Sequence, residues 1–444
     1  MAKVIKLRKG LDVRLKGKAV PEVAAAVKAA DEFALVPDDF VGLKPKVVVK
    51  EGDSVRAGDA LFVDKLHPEV KFVSPVSGTV SLVERGERRK LLSVRVKPDG
   101  SGAAREFDTK GDVKALLLES GLFGFFRSRP YDVTANPEDK PKAIFVSAFN
   151  SMPLAQDFEV ALKGQETEFQ AGIDALAQLA PVYLGISAQQ TSSALTVAKQ
   201  CEVNVFDGPA PAGNVGVQIN HVWPINKGEV VWTLGAEEVI FVGRLMKTGR
   251  VNLERTIAVA GSEVKKPCYV KALVGQKIDS LLEGQIDTEK HLRIINGNVM
   301  TGLKTSTDGF LAAHATEINV IPEGDDNAEM LGWIMPRFNE FSTSRSYFSW
   351  LLGKKREYVL DARVKGGERH MIMSGEYDKV FPMDIYAGFL VKAIIAGDID
   401  RQEQLGIYEV APEDFAIAEF VDSSKLELQR IVREGLDILR KENE

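Results

Sequence analysis

Residues 47–80 constrain the fold more than any other part of the chain. Their text is VVVKEGDSVRAGDALFVDKLHPEVKFVSPVSGTV. Apolar residues alternate at Val47 and Val49, at Leu61 and Val63, at Val70 and Phe72, then at Val76 and Val80. This alternation marks short strands with one buried face each. Gly52-Asp53 and Gly58-Asp59 supply the positive-φ corners between them, and Gly78 follows Pro75 at the next corner. Short strands joined by tight turns bury their faces only against one another, so a small β sandwich is expected here.

The pattern resembles the lipoyl/biotinyl-type barrel-sandwich, which usually carries a modified lysine at a hairpin tip. The hairpin here reads Val63-Asp-Lys-Leu-His-Pro68. A biotin acceptor lysine sits between methionines. A lipoyl acceptor follows an acidic residue further from the Gly-Asp turn. Lys65 has the acidic neighbour Asp64 but comes too early after Gly58-Asp59. The expectation is a swinging-arm scaffold without its arm.

With 444 residues the chain exceeds one ordinary core and suggests about three domains. Its 45% apolar and 27% charged residues are those of a globular protein, and a net charge of −6 disfavours nucleic acid as a partner. Two cysteines, Cys201 and Cys268, are too few for a disulfide framework, a Cys₄ cluster or a Cys-rich zinc site. No apolar run reaches the ~20 residues of a membrane span; Phe389-Leu-Val-Lys-Ala-Ile-Ile-Ala396 is short and carries Lys392. The basic start (Lys3, Lys6, Arg8, Lys9) lacks the apolar region of a secretory signal. Ile5/Leu7 and Leu11/Val13/Leu15 alternate around Lys9-Gly10, which predicts a β-hairpin with one basic face. That face is either solvated or turned to anionic headgroups or an acidic partner.

Four segments follow from the punctuation. Residues 1–110 are expected to hold the barrel-sandwich with its leading hairpin. Residues 111–250 read as a Rossmann-like α/β unit, with a short helix at 112–119, strands at 143–147, 182–186 and 203–206, and helices at 166–179 and 192–199. The loop Gly208-Pro-Ala-Pro-Ala-Gly-Asn-Val-Gly216 lacks GxGxxG and is read as structural. Residues 251–330 read as a β-grasp-like (SLBB-like) module with a short helix at 277–283. Residues 331–444 are mainly helical; Ser424-Lys-Leu-Glu427 has the form of a capping box before a final helix. The fold class is thus multidomain α+β.

Residue chemistry alone gives no catalyst. The five histidines are scattered, without HxH or HExxH, and GxSxG and P-loop motifs are lacking. The order of modules resembles the C subunit of Rnf electron-transfer complexes, and the middle modules resemble the NADH-binding flavoprotein subunit of respiratory complex I. In those relatives a Gly-Gly-Ala-Gly-Phe-Pro loop lets backbone approach flavin phosphate. Here the place reads Gly121-Leu-Phe-Gly-Phe-Phe-Arg-Ser-Arg-Pro130, where Phe125, Phe126, Arg127 and Ser128 replace glycines. The acidic strand end of the relatives is replaced here by Ser147-Ala-Phe-Asn-Ser-Met-Pro153, without acidic residues. The two iron–sulfur cysteine runs of the Rnf tail become residues 375–382 and 408–420, without cysteine.

The family that lacks all these ligands is NqrA, the A subunits of the Na⁺-translocating NADH:quinone reductases. Ile5–Gly17, Ser147–Ala155, Gly243–Gly249 and Val380–Tyr386 resemble it closely. The resemblance implies a peripheral subunit on the cytoplasmic face of the bacterial inner membrane. It implies five other subunits as partners, chiefly a membrane-embedded one. NADH, flavins, riboflavin and iron–sulfur belong to those subunits, and electrons pass to ubiquinone as Na⁺ is driven outward. No cofactor is expected on this chain, with ubiquinone its candidate ligand. The expected quinone crevice lies between the first two domains, floored by Phe123, Phe125 and Phe126, with Arg127, Arg129 and Phe149 at its edge. Quinone sites are mostly apolar with few polar anchors; the alternative is that these rings fill a vacated pocket as core. No catalytic residue and no metal ligand is assigned. The stretch Phe338…Arg356 joins aromatics to basic residues, as at a membrane interface or a membrane-partner contact, or as a core element with a solvated end. The competing function is a soluble lipoyl/biotinyl-type carrier or adaptor.

Overall fold

The computed structural model describes residues 3–24, 27–325, 334–353 and 355–443. The Gly-Asp corners act as the sequence suggests. Gly52 and Gly58 sit at φ 88° and 90°. The Asp53 and Asp59 carboxylates accept from Lys50 N and Arg56 N at 2.7 and 2.8 Å, closing each corner. Strands Phe33–Leu35, Leu91–Pro98, Gly78–Arg85 and Ser54–Val55 form one antiparallel sheet, and Pro45–Val47, Ala60–Asp64 and Lys71–Val73 a second. Phe62 and Phe72 stack at 5.0 Å in the core. Lys65 stands exposed just beyond Asp64.

The α/β unit is built on a seven-stranded sheet. Its order is Lys3–Lys6, Glu202–Asp207, Val182–Ser187, Ile144–Ser147, Val231–Gly235, Arg127–Arg129, Val133–Thr134. The first five run parallel, and the last two join by antiparallel pairing. Helices Glu166–Leu176 and Ala236–Thr248 pack tightly on one another. A Cβ at Gly243 would lie inside van der Waals contact with the Glu168 carbonyl, so the helices approach where only glycine fits.

The leading segment is not a hairpin. Lys3–Lys6 adds parallel to Glu202–Asp207, registering Lys3 with Asn204. Ile5 and Leu7 are buried against helices of the C-terminal region, and Val13 and Leu15 against the third unit. The alternation serves burial on two different partners. The strap then pairs Leu15 with Tyr358 and Val23 with Tyr269. At Gly17, φ 95°, it passes so close to Gly261 that a side chain has no room.

The third unit is a mixed five-stranded sheet, ordered Cys268–Leu273, Glu254–Ala260, Glu317–Pro322, Leu292–Asn296, Leu303–Thr305, with Ile278–Leu282 packed on it. Its parallel pair is Glu254–Ala260 with Glu317–Pro322. The C-terminal region carries helices Ala387–Ala396, Ile399–Gln404, Ala416–Val421 and Leu428–Asn443. The expected capping box at Ser424 does not form. The helix starts at Leu428, with Glu427 O accepting from Ile431 N, while Ser424 Oγ donates to the His370 carbonyl. A positive φ at Lys425 turns the chain before a helix can begin there.

The barrel-sandwich and α/β unit share one apolar core across their seam. Phe123 and Phe126 stack at 5.3 Å and meet Trp232 edge-on, while Phe125 meets Phe40 and Phe241. We expect Gly243→Ala to lower the unfolding free energy by about 1–3 kcal/mol. Urea denaturation of the full chain measures it; an unchanged midpoint would show that the helices separate freely.

Candidate functional site

Strand Ile144–Ser147 has Val182–Ser187 on one side and Val231–Gly235 on the other, both parallel to it. The chain therefore leaves the sheet in opposite directions at this point, and a crevice opens at the carboxyl ends of the strands. A cleft of about 590 Å³ lies there, lined by Ser147, Phe149, Thr233 and Gly235 from the sheet ends. That volume suits a small organic ligand. The third unit adds Asn296, Asn298, His314 and Glu317, the C-terminal region adds Glu413 and Arg433, and the barrel-sandwich adds Asp39.

Of the residues expected from sequence, Phe125, Arg127, Arg129 and Phe149 line this cleft. Phe123 and Phe126 stand behind its wall in the shared core, each 0% exposed. The cleft also involves more of the chain than the first two domains. Its walls are charged. Arg129 is buried and faces Asp132 at 3.5 Å, Glu413 at 2.9 Å and Asp414 at 3.7 Å. Arg127, about a third exposed, is 3.7 Å from Asp132. Tyr131 and Asp132 both adopt positive φ, and their carbonyls accept from Arg433 at 2.6 and 3.2 Å. These bonds hold an otherwise unfavourable turn that aims Asp132 at the two arginines. Burial raises the Asp414 carboxyl above its ordinary range despite Arg129. Burial works the same way on Asp132, but Arg129 and Arg127 outweigh it and hold that carboxyl low.

The opposite wall is organised by Arg255, fully buried on Glu254–Ala260. It donates to Glu238 Oε1 at 3.0 Å and to the Ala313 and Ala315 carbonyls at 2.7 and 3.0 Å. Its guanidinium lies 5.1 Å from the Phe241 ring centre. Glu237 and Glu238 open helix Ala236–Thr248. Glu237 Oε1 accepts from Gln156 Nε2 at 3.0 Å and Thr256 N at 3.2 Å. One guanidinium between two carboxyls neutralises only one of them. Burial pushes Glu237 up to about 7. Burial also works to raise Glu238, but Arg255 and His314 prevail and bring it down to about 2. Burial lifts Asp39, whose carboxylate accepts from Ala313 N at 2.8 Å, to about 6.

Arg255, Glu237, Glu238 and His314 carry no motif that marks them in the sequence. A faint signal exists: two adjacent acids follow the apolar strand Val231–Gly235 and precede apolar Val239-Ile-Phe-Val242. Among the described residues no group of three or more His, Cys, Asp or Glu is arranged to hold a metal. None of the described helices is long and apolar enough to cross a membrane. The stretch after Phe338 is exposed rather than core: Phe348, Trp350, Leu351 and Leu352 are each about half exposed or more. Arg345 stands 5.6 Å from the Trp350 ring centre; Lys354 lies outside the described residues.

Fold and site define a multidomain chain in which a barrel-sandwich, a parallel α/β unit, a mixed β unit and a helical region enclose one charged cleft. Three family models match it: the NqrA N-terminal barrel-sandwich hybrid domain over residues 5–99, the NqrA second alpha/beta domain over 108–251, and the NQRA C-terminal domain over 256–307. It is 35% identical over 451 residues to the A subunit of the Na(+)-translocating NADH-quinone reductase of Yersinia pestis bv. Antiqua (strain Angola), covering 99% of this chain and 100% of that one. It is 34% identical over 452 residues to the corresponding protein of Haemophilus influenzae (strain PittGG), with the same coverage. The chain belongs to the family of A subunits of Na⁺-translocating NADH-quinone reductases. An NAD⁺-reducing [NiFe]-hydrogenase in the H₂-reduced state superposes with a TM-score of 0.35 at 13% identity, over 48% of each chain, a likeness too slight to carry anything over.

We expect Arg255→Met to cost about 3–5 kcal/mol, because Glu238 is left buried without its guanidinium, facing only His314 at 3.6 Å. Adding Glu238→Gln should restore part of that loss. Urea unfolding of the two variants measures the coupling; equal stability of single and double variants would mean the pair does not hold these units together.

Proposed function

We propose that this chain is the peripheral NqrA component of a Na⁺-translocating NADH:ubiquinone oxidoreductase, on the cytoplasmic face of a bacterial inner membrane. Its role is to support reduction of ubiquinone to ubiquinol coupled to outward Na⁺ transport. The observation that carries this reading is the similarity to the A subunits of such enzymes along 99% of the chain. Five other subunits, chiefly a membrane-embedded one, are its partners. NADH, flavins, riboflavin and iron–sulfur reside on them, and this chain binds no cofactor of its own. We read the parallel sheet as a degenerate flavin-type domain and the mixed sheet as a β-grasp of the SLBB type. Domain limits near residues 110, 250 and 330 accompany that reading.

The cleft is proposed to take the ubiquinone headgroup. Phe125 and Phe149 offer ring faces, and the half-buried guanidinium of Arg127 offers a donor to a carbonyl. Arg129 serves to position its neighbours, since three carboxyls surround it. Phe123 and Phe126 support the wall from behind. We expect Arg127→Gln and Phe149→Leu to weaken photolabelling by a quinone analogue several-fold in the assembled complex. Phe126→Leu should instead lower stability by about 1–2 kcal/mol and leave labelling as in the parent. Equal labelling of all three would move quinone chemistry to another part of the complex.

The exposed ring cluster around Trp350, flanked by Arg345, Lys355 and Arg356, is proposed to meet the membrane-embedded partner. We expect the chain to fractionate with membranes only when the other subunits are present. Trp350→Asp should release it into the soluble fraction. Pelleting that persists without the partners would show direct attachment to lipid.

A further inference from the structure

Glu237 lines the cleft, is 3% exposed and lies on the first turn of helix Ala236–Thr248. Its Oε1 is fully engaged by Gln156 and Thr256. Its Oε2 is buried without a hydrogen-bond partner among the described residues. Arg255 Nε lies 3.8 Å from that oxygen and likewise makes no hydrogen bond among the described residues. A cation cannot accept a proton, and Arg255 already neutralises Glu238 at 3.0 Å. A proton on this carboxyl therefore sits on Oε2, and the acceptor it lacks among the described residues can be brought into the cleft by a ligand.

We propose that Glu237, in its protonated form, is the hydrogen-bond donor that recognises a carbonyl oxygen of a neutral ring ligand, a quinone headgroup, bound in the cleft. This assignment rests on the quinone reading given above. A carboxylic acid kept neutral by burial donates a strong hydrogen bond, yet presents no charge to an uncharged ligand. Ionised, the same group turns lone pairs toward the ligand oxygen and repels it. Binding is thus tied to the protonation state, and the group titrates at about 7 because burial opposes its charge. Arg255, on the facing strand, favours ionisation, whereas Glu238 beside it opposes ionisation. Arg244 stands further along the same helix and feels Glu237 as a favourable charge. His314 contacts Glu238 and Glu317 contacts Gln156, both one residue removed. Ubiquinone has no titrating group in this range, so any pH dependence of its affinity reports on the protein.

The test is calorimetric titration of the full chain with ubiquinone-1 between pH 6 and pH 8. Parent affinity should fall about tenfold over that range, because only the protonated fraction binds. Glu237→Gln keeps a donor and the acceptor for Thr256. It should bind within about threefold of the parent at pH 6, with no pH dependence. Glu237→Leu removes the donor and should bind about tenfold or more weaker at pH 6. Thermal unfolding of the glutamine variant checks that the helix start is intact. If the parent binds with a flat pH profile and the leucine variant binds equally, Glu237 is not the donor, and the quinone reading stands without it. If the parent does not bind ubiquinone-1 at any pH, the quinone reading itself fails.

Discussion

The buried guanidinium of Arg255 is the constraint on which the cleft depends. It arises from a strand of the third unit, holds a carboxylate from the first turn of an α/β helix, and takes two carbonyls from the 313–315 loop. Burying such a group is unfavourable unless its charge is paired in place. The two units are thereby fixed in a single relative position. Arg129 does the same on the far side, joining the α/β sheet edge to Glu413 and Asp414 of the helical region. Two buried cations thus set the width of the space between three units.

This placement explains why charged side chains stand among the aromatic and apolar residues of the cleft wall. The rings at 123 and 126 belong to a core that runs without a break from barrel-sandwich to α/β unit. The cleft itself is left to Phe125 and Phe149 together with charged and amide side chains. The segment 408–420 supplies Glu413 and Asp414 to Arg129, so electrostatic contact ties the tail to the α/β unit.

Local patterns are legible in the sequence and long-range ones are obscure. Gly52-Asp53 and Gly58-Asp59 fix turns within four residues, so the barrel-sandwich can be read directly. The strand at 144–147 and the helix from Glu166 follow from apolar periodicity alone. Alternation at Ile5 and Leu7 is visible too, but alternation does not name a partner, and the strand joins one that lies some 200 residues later in the chain. Ser424 fits a capping pattern that a left-handed Lys425 overrules. The cleft is half legible. Phe125, Arg127 and Phe149 lie near a recognisable loop or strand end. Arg255 and Glu237 meet only in three dimensions, and no spacing in sequence encodes a pair whose members come from different domains.

The edge position of Lys3–Lys6 also sets an order of events during synthesis. Its strand partner, Glu202–Asp207, is made about 200 residues later, which at ~5–20 residues per second is roughly 10–40 s. Until then Ile5 and Leu7 have no sheet to join, while the barrel-sandwich between them and the α/β unit can already close. The α/β sheet thus gains its edge strand across a neighbour that can already be closed, from a segment made about 200 residues before its partner.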